Sequence, residues 1–144
     1  MAWGLIILLL KNYINKYSMD NIFISTICLL ALYVYSSYGK IMDINGTAES
    51  LHSKLNMLPM NLCVLAIVGV IILELFGSLF VVYSLYTKEY KKYLYYVVLA
   101  FILFNVLATI LYHNPSNKKE IINFLKNLSI TGGFILLLEQ VKDY

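Results

Sequence analysis

Four long apolar runs separated by short polar stretches set the plan of the chain: Ile22 to Met42, Leu62 to Tyr86, Tyr93 to His113 and Ile121 to Gln140. At about 1.5 Å per residue, each is long enough to cross a hydrocarbon core of roughly 30 Å, so each predicts a transmembrane helix. The second run, LCVLAIVGVIILELFGSLFVVYSLY, carries a single acid, Glu74, near its middle. An isolated carboxylate there is costly, so Glu74 must be protonated, paired with a cation or reached by water. In the first run Ser25, Tyr33, Ser36 and Lys40 recur at helical spacing, which predicts a stripe turned toward other helices rather than lipid. The third run places Asn105, Thr109 and His113 at i, i+4 and i+8. The fourth holds Lys126, Asn127, Ser129, Thr131, Gly132 and Gly133 in its first two thirds, a pattern that predicts a helix inside a bundle.

The connecting segments carry their own signals. In the loop from Asp43 to Pro59, Ala48, Leu51, Leu55 and Leu58 recur at offsets of three and four, predicting a short amphipathic helix that lies on the membrane or caps the bundle. Pro59 suits the first turn of the second span. Met1 to Leu10 is apolar but too short to span, and no basic region precedes it. Residues 1–20 are therefore expected to form an interfacial segment, with Trp3, Tyr13 and Tyr17 at headgroup level. Outside the spans, Lys11, Lys16, Lys88, Lys91, Lys92 and Lys142 fall on one side, and Lys54, Lys118 and Lys119 on the other. That bias favours cytoplasmic N and C termini. The expected fold is all-α: an integral membrane, up-down four-helix bundle forming a single domain.

Composition agrees with this reading. The chain has 144 residues, 60% of them hydrophobic, and a mean hydropathy of +0.75, far above a soluble domain. The lipid bilayer is its first partner. A net charge of +3, scattered rather than gathered in a stripe, argues against nucleic-acid binding. Every basic residue is lysine, and Asn, Ile and Tyr are abundant, as nucleotide bias in an AT-rich genome produces. Cys28 and Cys63 lack metal or redox spacing and read as free buried thiols. There is no GxxxxGK[ST], GxGxxG, HExxH or GxSxG motif, so nucleotide hydrolysis, dinucleotide binding, zinc proteolysis and serine hydrolysis lack their groups. His52 and His113 are too few for a bis-histidine haem plus any other task, and no metal or cofactor site is evident.

Depth ranks the partners of Glu74. Counted from Leu62, Glu74 lies about 18 Å in; Lys126 lies about 7 or 8 Å in from Ile121, and Lys40 only about 3 Å from the end of its run. Lys126 is therefore the expected partner, with Lys40 and His113 at the outer mouth. The candidate site is a polar cavity floored by Glu74 and walled by Lys126, Lys40, His113, Asn105, Asn127 and Ser36. The alternative is a buried ion pair that fixes helix register.

These motifs resemble the DoxX-like family of small four-span membrane proteins. The resemblance rests on Tyr38-Gly39-Lys40-Ile41 closing the first span, Leu73-Glu74-Leu75-Phe76-Gly77 in the second, Tyr112-His113 closing the third, and Phe124-Leu125-Lys126-Asn127-Leu128 leading to Gly132-Gly133 in the fourth. It covers about Ile22 to Gln140; the family's usual arginine near the start of the first span has no counterpart. Named members of that family are membrane subunits of redox systems. The resemblance implies a redox-associated membrane subunit that binds a small anion, sulfur compound or quinone, working as a homo-oligomer or beside a redox partner subunit. The alternative, from a different class, is a non-catalytic membrane scaffold whose buried charges serve packing. A third reading, a proton-coupled transporter, lacks the paired broken helices that such folds use.

Overall fold

The computed structural model describes residues 2–142, with side chains for residues 21–142. Helix α1 runs Ala2–Met42, α2 Ile44–Lys54, α3 Met60–Ile72, α4 Ser78–Thr87, α5 Lys91–Tyr112 and α6 Ile121–Lys142. Between α3 and α4 lies one π-helical turn, Leu73–Gly77, so that α3, the turn and α4 make a single span. Among the described residues, four helical stretches are long and apolar enough to cross a membrane: Asn21–Met42, Met60–Thr87, Lys91–Tyr112 and Ile121–Lys142. Each begins and ends within two residues of an apolar run, because span length is dictated by bilayer thickness. The N-terminal backbone continues α1 without a break. The interfacial placement expected for residues 1–20, including Trp3, Tyr13 and Tyr17, lies outside the described side chains.

The four spans close into a bundle in which α1 meets both halves of the second span, α4 meets α5, α5 packs along α6, and α6 returns to α1. Its core is Leu30 and Tyr33 from α1, Val81 and Leu85 from α4, Val98 and Phe101 from α5, and Phe134 and Leu137 from α6, with their neighbours. Phe101 stacks on Phe134 with ring centroids 5.2 Å apart, and Tyr33 sets its edge against Phe101 at 5.0 Å. Lipid tails are as apolar as these rings, so close packing rather than escape from water holds the helices together. The outward residues Leu65, Phe76, Leu79, Ile110 and Leu136 are exposed on the bundle surface and face lipid. Cys63 is buried, whereas Cys28 faces outward, correcting the expectation that both thiols are interior.

Helix α2 adds a tier to one end of this bundle. Asp43 caps it, accepting the Gly46 N–H at 2.9 Å, and His52 Nδ1 meets the Leu58 carbonyl at 2.8 Å where the chain turns back. Ala48 and Leu51 are buried against Cys63 and Ile67, the first two turns of α3, with Leu111 and Tyr112 packed alongside. α3 thus projects past the end of α1, and α2 fills the step.

Candidate functional site

That step decides which cation reaches Glu74. Glu74 lies in the π turn and is 1% exposed, and the Lys40 ammonium donates to both of its carboxylate oxygens at 2.9 Å. Lys40 also donates to Ser36 Oγ at 2.6 Å, one helical turn back on α1. Glu74 sits fourteen residues past Met60, about 21 Å along the helix, while Lys40 is about 3 Å from the end of α1. The two meet because α1 ends below the start of α3, and the depth count had set both ends level. Lys126, ranked first by that count, is exposed on α6, five residues from the helix start, where a lysine stem can reach the headgroups. Its neighbour Ser129 is exposed as well and satisfies its hydroxyl on its own helix, at the Leu125 carbonyl. The first half of α6 therefore has a lipid-compatible face that its polar composition concealed.

The π turn itself was not signalled by hydrophobic periodicity. Such turns are rare, and they recur at functional sites because the extra residue re-aims the side chains around it. The Ser78 hydroxyl donates to the Glu74 carbonyl, closing the polar backbone at this point. Gly77 makes room beside it: a Cβ there would stand 3.2 Å from the Phe101 ring.

Asn105 and Asn127 belong to a second polar cluster. Tyr33 Oη donates to Asn105 Oδ1 at 3.1 Å; Asn105 Nδ2 donates to the Asn127 carbonyl and to Thr131 Oγ1, both at 2.7 Å. This buried network ties α1, α5 and α6 together.

His113 is in neither group. Its Nδ1 meets Glu120 Oε2 at 2.8 Å across the α5–α6 loop, with Asn123 also bonded to that carboxylate at 3.4 Å. Glu120, overlooked in the sequence, was marked only by standing seven residues after His113. The His113 hydrogen bond, followed by that of Asn123, holds the Glu120 carboxyl below the usual glutamate range. A carboxyl depressed in this way contributes to loop stability above the ordinary glutamate range, and the contribution disappears as pH falls through its own titration. A carbon-13 titration of Glu120 in micelles is expected to give a midpoint below that of free glutamate, which rises toward it in His113→Gln. An unchanged midpoint in that variant would remove His113 as the cause.

Among the described residues, two surface grooves open beside α1. One of about 500 Å3 is lined by residues of α1 and α4 such as Val34, Tyr35, Tyr38, Ser78 and Leu79. The other, of about 370 Å3, runs between α1 and α6 past Thr26, Gly133 and Gln140. Neither is lined by Glu74 or Lys40.

Comparison with curated proteins and with solved structures gives no match. The family model described as DoxX matches residues 22–114, which include the first three spans, the α2 tier, both members of the Lys40–Glu74 pair and His113, but stop short of α6. With nearly two thirds of the chain matched, and with four helices able to cross a membrane, the chain belongs to the DoxX family of multi-pass membrane proteins.

Proposed function

We propose that this chain is a non-catalytic membrane scaffold subunit of a redox-associated assembly, with its interior charges spent on fixing one packing of the helices. The observation that supports this reading is the closed Lys40–Glu74 contact: both carboxylate oxygens are engaged and Glu74 is 1% exposed, leaving no free face for a ligand. The redox setting comes from family resemblance alone, as does a partner subunit or a homo-oligomeric state, and the lysine bias supports termini on the cytoplasmic side.

A second reading is kept by one observation. The Lys40 side chain remains 18% exposed, so a small anion, a sulfur oxyanion or a quinone carbonyl could compete for its ammonium.

Titrating the purified chain with thiosulfate and with a short-chain quinone separates the two. The scaffold reading expects no saturable binding of either. Saturable binding that disappears in Glu74→Gln or Lys40→Met would overturn it in favour of a ligand site.

A further inference from the structure

Ten residues beyond Glu74, in the last turn of α4, Ser84 is 1% exposed and its hydroxyl has no hydrogen-bond partner among the described residues. Several other hydroxyls of the spans turn back on their own helix: Ser78 on Glu74, Thr87 on Tyr83 and Ser129 on Leu125. Ser84 instead lines a recess of about 10 Å3, together with Leu85, Lys88, Lys91, Leu94 and Val141. Such a volume admits a single oxygen atom.

The mouth of the recess is cationic. Lys88 and Lys91 line it and are exposed, and Lys92 follows on α5, with Glu89 as the single acid of the turn. Lys88 and Tyr90 take left-handed backbone angles, φ +61° and +60°, and swing the start of the 22-residue α5 beside the recess. Tyr90 at the N-cap supplies no side-chain cap, and a helix N-terminus favours negative charge. Tyr83, Tyr86, Tyr93 and Tyr96 are exposed around it, as an aromatic belt is at headgroup depth.

We infer that the α4–α5 turn is a binding site for an anionic phospholipid headgroup, one of whose phosphate oxygens enters the recess and accepts the Ser84 hydroxyl. Lys88, which lines the recess, holds the remaining charge at its mouth, at the depth where lipid phosphates lie.

The full chain in nanodiscs of phosphatidylcholine, with and without phosphatidylglycerol, tests this by thermal stability and by lipid retention in native mass spectrometry. Phosphatidylglycerol is expected to raise the melting temperature and to be retained. Ser84→Ala weakens its retention about tenfold, the loss of one hydrogen bond to a charged group, while leaving stability in phosphatidylcholine unchanged. Lys88→Gln weakens it too, and serves if Ser84→Ala does not fold. Ser129→Ala, whose hydroxyl is satisfied on its own helix, changes nothing. Equal stabilisation by both lipids, full retention in Ser84→Ala, or the same shift from inorganic phosphate in phosphatidylcholine discs would overturn the assignment.

Discussion

Lys40→Met is expected to destabilise the bundle by about 3–5 kcal/mol, the cost of breaking a buried ion pair and stranding the surviving charge. Glu74 is the partner that suffers, since its carboxylate is enclosed and both its oxygens are bonded to Lys40. The reverse change is milder. In Glu74→Gln the orphaned ammonium keeps Ser36 Oγ and is partly exposed, so it can turn toward water or headgroups. The double change Lys40→Met with Glu74→Met removes both charges and is expected to fold close to the parent, because replacing a buried pair by apolar residues is often neutral or stabilising. Unfolding in mixed micelles checks all three, and adding the single change Glu74→Met closes a double-mutant cycle with Lys40→Met. Independent, additive costs would mean that the two residues do not act as a pair.

Phe101→Ala is expected to cost about 3 kcal/mol, the low end for deleting a buried aromatic ring. The α5 ring is wholly buried and sits where all four spans meet: it stacks on Phe134 of α6, takes the edge of Tyr33 of α1, and fills the space that Gly77 leaves beside the π turn. Removing it forfeits contacts that lipid cannot replace in a closed interior. The loss should be local to packing, with the Lys40–Glu74 contact kept. Phe101→Leu, which refills part of the volume, should recover about half of it. A cost within about 0.5 kcal/mol for Phe101→Ala, read by the same unfolding assay, would place the core elsewhere.

The spans were legible because bilayer thickness sets a length that any apolar run must meet, and the sequence met it four times. Glu74 was legible for the same reason, as the single acid in an otherwise apolar span. Its partner was not. Choosing between Lys40 and Lys126 required the relative heights of α1, α3 and α6, and those depend on α2 occupying a step beside the first turns of α3. The amphipathic pattern of Ala48, Leu51 and Leu55 announced that helix without saying that it displaced the end of α1. The π turn left no trace in a run where nearly every residue is apolar and period carries no information. In α6 the polar residues were read as a sign of burial, yet Ser129 is satisfied by its own backbone and Lys126 lies near enough to the helix start to reach outward. Asn105, expected as a cavity wall, is buried in the structure, and its bonds to Tyr33 and Thr131 join three different helices and exist only once those are packed.

The distance between the Lys40 amine nitrogen and the Glu74 carboxyl carbon, measured by solid-state NMR dipolar coupling in lipid bilayers, is the most direct test. A separation below about 4 Å, with no measurable coupling from the Lys126 amine to Glu74, is the expected result. A strong coupling to Lys126, or none to Lys40, would contradict the stepped packing of α1, α2 and α3 and the closed pair that depends on it.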